Sequence, residues 1–73
     1  MNVKKLCYYI RIKTVGGFGW MPYVQEGLIP VFLEMDTAKE KQEEIFQYGS
    51  MIMPVSYPPH KESPLYKKKC TLI

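Results

Sequence analysis

Few residues in this chain have side chains capable of chemistry, and their spacing does not favour catalysis. His60 is the one histidine, set in the proline-rich stretch PPHKESP beside Lys61 and Glu62. Cys7 and Cys70 are the two cysteines, and with His60 they lack the paired spacing of a zinc site. Covalent or acid–base catalysis needs a nucleophile, a base and a charge stabiliser brought together. A single loop histidine with no partner does not supply that set. The run VGGFG at 15–19 lacks the lysine and the following helix of a phosphate-cradling loop. Carboxylates cluster only in the stretch Lys39–Glu44, which a solvated helix face explains. The expectation is a protein that is not an enzyme, with no catalytic residue, no metal and no cofactor.

One modification signal stands out. The segment YKKKCTLI, residues 66–73, places Cys70 fourth from its end, with lysines before it and aliphatic residues after it. That is a prenylation pattern with a polybasic helper, and it would make Cys70 the lipid site of a peripheral membrane protein. Against it, the prolines of 58–64 stiffen the approach. Cys70-Thr71-Leu72-Ile73 also consists of strand-forming residues, and lysines at a sheet edge discourage stray pairing. The expectation favours a final strand over an anchor, and no membrane.

The elements that must position these groups fit one domain spanning 1–73. Of the 73 residues, 47% are apolar and 14% aromatic, a globular profile. No apolar run approaches the ~18 residues of a membrane span. The start MNVKKLCYYIRIK alternates apolar and charged residues instead of forming the apolar core of a secretion signal. These features predict a cytoplasmic monomer with reduced thiols; a Cys7–Cys70 bridge would require the end strands to pair.

Residues 6–12 alternate with period two, putting Leu6, Tyr8, Ile10 and Ile12 on one face of a strand and Cys7, Tyr9 and Arg11 on the other. VGGFG turns the chain, and Trp20–Val24 returns as a strand with Pro22 at an edge or bulge. After a turn at 25–27, residues 28–35 predict a third strand. The period then changes. DTAKEKQEEIFQYGS predicts one helix at about 37–48, capped by Thr37 with Glu40. Ala38, Lys41, Ile45 and Tyr48 form its inner face, and Gly49 closes it in the left-handed conformation. Residues 51–57 predict another strand, and the tail from Leu65 a short last one. The fold class is α+β, ordered β-β-β-α-β-(β), as an antiparallel sheet or a partly open barrel.

Net charge is +3, unevenly spread. Residues 1–20 hold Lys4, Lys5, Arg11 and Lys13 and no acid. Residues 21–50 hold six acids against two lysines, and residues 51–73 hold four lysines against one acid. Basic ends around an acidic middle suit an anionic partner, or else the ends lie beside the middle and neutralise it.

Two local resemblances follow from KTVGGFGWMPYV and VFLEM. The first is similar to the glycine–aromatic motif of RNA-recognition domains at Gly17, Phe18, Gly19 and Tyr23, although no helix precedes it and Pro22 disturbs the strand. Over residues 6–35 the chain more closely resembles cold-shock domains, five-stranded barrels that stack single-stranded bases. GGFGW matches their second-strand motif, and VFLEM their third, with Phe32 at the stacking aromatic. Glu34 and Met35 depart from it, and YIRIK replaces the first-strand aromatic pair. The resemblance implies Phe18, Trp20 and Phe32 as nucleic-acid contacts, a less favoured reading.

In length and in the start MNVKKLCYYIRIK, the whole chain is similar to the small RNA-polymerase-binding transcription regulators of lytic Xanthomonas phages. That resemblance implies a non-catalytic protein of the host bacterial cytoplasm. It would bind the polymerase, at its largest subunit, and inhibit initiation or promote antitermination. The expected contacts are Val3, Lys5, Tyr9 and Arg11, with Lys4 and Lys13 steering the encounter.

Overall fold

The computed structural model describes residues 5–14, 16, 18–45 and 49–73. Its elements run in the expected order: β1 (Lys5–Lys13), β2 (Trp20–Pro22), β3 (Ile29–Val31), α1 (Met35–Ile45), β4 (Met51–Tyr57) and β5 (Cys70–Leu72). Among the described residues, five strands and one helix make a small α+β domain. Strands β2, β1 and β4 form an antiparallel sheet with β1 in the centre, and this sheet does not close into a barrel. Strands β3 and β5 form a separate parallel pair, in register Ile29 with Cys70, Pro30 with Thr71 and Val31 with Leu72.

Each proline of the antiparallel sheet sits where the ladder asks for no donor. Tyr8 turns its amide to the carbonyl of Phe32 (2.8 Å), away from its neighbour Pro54. Tyr23 donates to Ile10 (2.8 Å), which leaves the imide nitrogen of Pro22 on the outer side of β2. Both prolines thus occupy edge strands with their missing N–H facing outward, as the chemistry of the residue requires.

The 25–28 turn has a specific cause. Gln25 and Leu28 exchange both backbone bonds (2.8 and 3.1 Å), and the two residues between them, Glu26 and Gly27, have φ of 55° and 81°. Positive φ at both central positions identifies a mirror-image hairpin turn, whose twist suits the flanking chain.

The third strand and the helix depart from expectation at their boundary. Phe32 bridges Tyr8, the chain bends at Leu33 and Glu34, and the helix begins at Met35 rather than near 37. The Glu34 carbonyl accepts the amide of Ala38 (3.3 Å), making Glu34 the cap and leaving Thr37 inside the first turn. The shift follows from β3 stopping early once Phe32 has paired with β1. Ala38, Lys41 and Ile45 do turn inward; Tyr48, also expected on this face, lies outside the described residues. Gly49 has φ of 61°, the left-handed conformation expected of it.

Alternation along β1 feeds two cores. Cys7 and Tyr9 join Ile29, Val31, Val55 and Leu65 on one face. Ile10 joins Phe32 and Ala38 on the other, with Tyr8, Ile12, Tyr23, Ile45 and Ile52 packed around them. The helix therefore covers one face of the antiparallel sheet, while β3 and the loop carrying Leu65 cover the opposite one. Leu65 is fully buried and holds the proline-rich stretch down; burying one such side chain contributes roughly 1.5–3 kcal/mol.

Candidate functional site

The expected contact residues divide by burial. Tyr9 is only 2% exposed, in the core beneath Leu65, which takes it out of the partner-facing set. Lys5 and Lys13 are exposed, and Arg11 is half-buried. Val3 and Lys4 lie outside the described residues.

The aromatic platform also comes apart. Phe32 is 2% exposed and packs with Ile10 and Ala38, so it cannot stack a base. The physical reason is its backbone bridge to Tyr8, which seats it between sheet and helix. Phe18 is 98% exposed at the first hairpin. Trp20 is half-buried, and the Lys13 ammonium lies 5.8 Å from its ring centroid, a cation–π distance. Phe18 and the Lys13–Trp20 pair are therefore what the structure leaves of the nucleic-acid reading.

The cysteines are free. Cys7 is buried and Cys70 packs against the same core. Burial pushes the Cys7 thiol up, with Lys5 pulling weakly the other way, and burial alone raises Cys70. Thiols shifted in this direction stay protonated at neutral pH and are poor nucleophiles. Cys70 is also part of a paired strand: Ile29 donates to the carbonyl of Lys69, and Ile73 to that of Val31, both at 2.8 Å. A lipid-transferring enzyme would have to peel β5 from β3 to reach it. No helix among the described residues is long and apolar enough to cross a membrane.

Charge is where the tertiary structure brings residues together. Lys5, Arg11 and Lys13 share the odd-numbered face of β1 with Cys7 and Tyr9. The loop that leads through Leu65 to Lys67, Lys68 and Lys69 covers that same face. Glu34, Asp36, Glu40, Glu43 and Glu44 lie on or next to the helix, which packs on the other face. Among the described residues the one ion pair is Lys41–Glu44 (3.4 Å), inside the helix. No ion pair between the basic ends and the acidic middle occurs among the described residues. Lys5, Arg11 and Lys13 thus lie on the face of β1 opposite the helix carboxylates, although the helix also carries Lys39 and Lys41 and the loop before Leu65 carries Glu62, a partial separation the linear charge blocks alone did not reveal.

One shallow cleft of about 200 Å³ lies on the outer side of the β3–β5 pair, lined by Gln25, Glu26, Leu28, Pro30, Thr71 and Ile73. Its lining is mixed: Leu28, Pro30 and Ile73 are apolar, Gln25 and Thr71 polar, and Glu26 charged. Sequence reading missed this feature, because it depends on a non-local pairing of residues 29–31 with 70–72. No known protein family, curated protein or solved structure matches the chain.

Proposed function

We propose that the protein is a non-catalytic regulator of phage type that binds host RNA polymerase, at its largest subunit, and alters transcription by inhibiting initiation or promoting antitermination. The observation that carries the reading is the set of unpaired cations: Lys5, Arg11 and Lys13 on β1, and Lys67–Lys69 beyond Leu65, without an ion-pair partner among the described residues. Unpaired cations on a small domain raise the encounter rate with an anionic surface and orient the approach. The similarity of the start MNVKKLCYYIRIK to those regulators supplies the identity of the partner. The test is retention of purified bacterial RNA polymerase by the immobilised protein. Retention should be strong at low salt and reduced at least tenfold by combined Lys5→Glu and Arg11→Glu substitution. Absence of retention at low salt overturns the proposal.

A second reading rests on Phe18 and the Lys13–Trp20 pair: single-stranded nucleic acid stacking at the first hairpin. Titration with an oligonucleotide while following Trp20 fluorescence distinguishes it. No quenching at low salt removes this reading, since phosphate binding is strongest there.

A further inference from the structure

We propose that the free edge of β5, with the lysines that lead into it, docks an extended acidic segment of a partner protein as an added strand. The argument starts from the ladder. In the parallel pair, Lys69 and Val31 supply carbonyls to Ile29 and Ile73, and Leu33 donates to Ile73 at 3.3 Å. In that register Thr71 and Ile73 turn their backbone groups to β3. The amides and carbonyls of Cys70 and Leu72 therefore point the other way, and no backbone partner for them occurs among the described residues.

The other open edges among the described residues are interrupted by proline. The outer side of β2 carries the imide of Pro22, and that of β4 the imide of Pro54. A proline in the middle of an edge interrupts its row of donors and so disfavours strand addition. Strand β5 has no proline, and its side chains include a 47% exposed Leu72. It is the edge whose row of donors and acceptors is intact.

The occupant follows from charge. Lys67, Lys68 and Lys69 are exposed, precede the edge directly and have no acidic partner among the described residues. Such lysines repel a basic strand and a second copy of this same edge, while they attract a strand bearing carboxylates. Main-chain bonds to Cys70 and Leu72 would supply affinity, and the apolar part of the cleft, Leu28, Pro30 and Ile73, would take alternate apolar side chains, with the carboxylates of the partner strand held toward the lysines and away from Glu26. The site does not require that the partner be a polymerase.

A fluorescein-labelled eight-residue peptide of alternating glutamate and valine provides the probe. Its anisotropy should rise with added protein, and binding should weaken at least tenfold between 20 and 300 mM salt. A lysine–valine peptide should not bind. Combined Lys67→Gln, Lys68→Gln and Lys69→Gln should weaken binding at least tenfold. Leu72→Pro removes an outward amide that the fold does not use and should abolish binding with an unchanged far-UV circular dichroism spectrum. Should that variant unfold, amide exchange on the unmodified protein decides instead: peptide should slow exchange at Cys70 and Leu72. Unchanged exchange there overturns the proposal. So does equal binding of the lysine–valine peptide, or protection of those amides by protein self-association without peptide. Polymerase retention with no peptide binding would leave the proposed function standing and remove this site alone.

Discussion

Tyr8 and Phe32 exchange both of their backbone hydrogen bonds, amide to carbonyl at 2.8 Å and 2.7 Å. This one bridge joins the parallel pair to the antiparallel sheet. It also directs the Phe32 ring to the helix side, where it meets Ile10 and Ala38.

Phe32→Ala should therefore act on stability, with a loss of about 3–5 kcal/mol expected for an aromatic removed from a packed core. Phe18→Ala, at an exposed loop position, should stay within about 0.5 kcal/mol of the parent. Urea unfolding followed by circular dichroism separates them. Equal midpoints for the two variants would contradict the burial of Phe32.

Gly49 combines φ of 61° with a close neighbour: a Cβ there would come within 2.9 Å of Lys13 Cε. Gly49→Ala should cost about 1–2 kcal/mol from the left-handed backbone, and it should displace the Lys13 stem from Trp20. Gly49→Asn should cost less, because asparagine tolerates that conformation. Thermal melts rank the variants, and a shift in Trp20 emission in the alanine variant reports the displaced lysine.

Glu26 occupies the first central position of a mirror-image turn at φ of 55°, which a long side chain adopts only under strain. Glu26→Asn creates the asparagine–glycine pair preferred there and should stabilise the fold by about 0.5–1 kcal/mol. In a domain of this size that raises Tm by several degrees, which scanning calorimetry can measure.

Both cysteine thiols are raised by burial in the folded protein. Their contribution is fully present below the ordinary thiol value, about 8.5, where folded and unfolded chains are both protonated. Above it the unfolded chain ionises first, so it binds fewer protons and stability falls as pH rises, until the folded thiols titrate in turn. Urea midpoints should drop between pH 7 and pH 9.5. Combined Cys7→Val and Cys70→Val should flatten that slope, and an unchanged slope would refute the assignment.

Much of the architecture is legible along the chain because it is local. The period-two run in β1, the change of period into α1, and the glycine at 49 all depend on neighbours within a few residues. The order of elements follows from them. The helix boundary is not legible, because the Thr37–Glu40 pair has the pattern of a cap, whereas the early end of β3 lets the helix start at Met35. The candidate surface was half legible. Lys5, Arg11 and Lys13 could be named as cations on one face of a strand, but nothing in their spacing distinguished Tyr9 from them.

By itself the sequence determines which residues of each strand share a face, where the chain must turn and where charge accumulates, since backbone sterics and side-chain period act over short range. It does not say what covers a face. Tertiary packing placed Leu65 over Tyr9, the helix over Phe32 and the helix carboxylates on the face opposite the β1 cations. It also paired β3 with β5 in parallel, leaving one edge open. Those outcomes depend on contacts between segments as far apart as residues 29–31 and 70–72, whose choice is set by the burial available to the whole domain and not by any local preference.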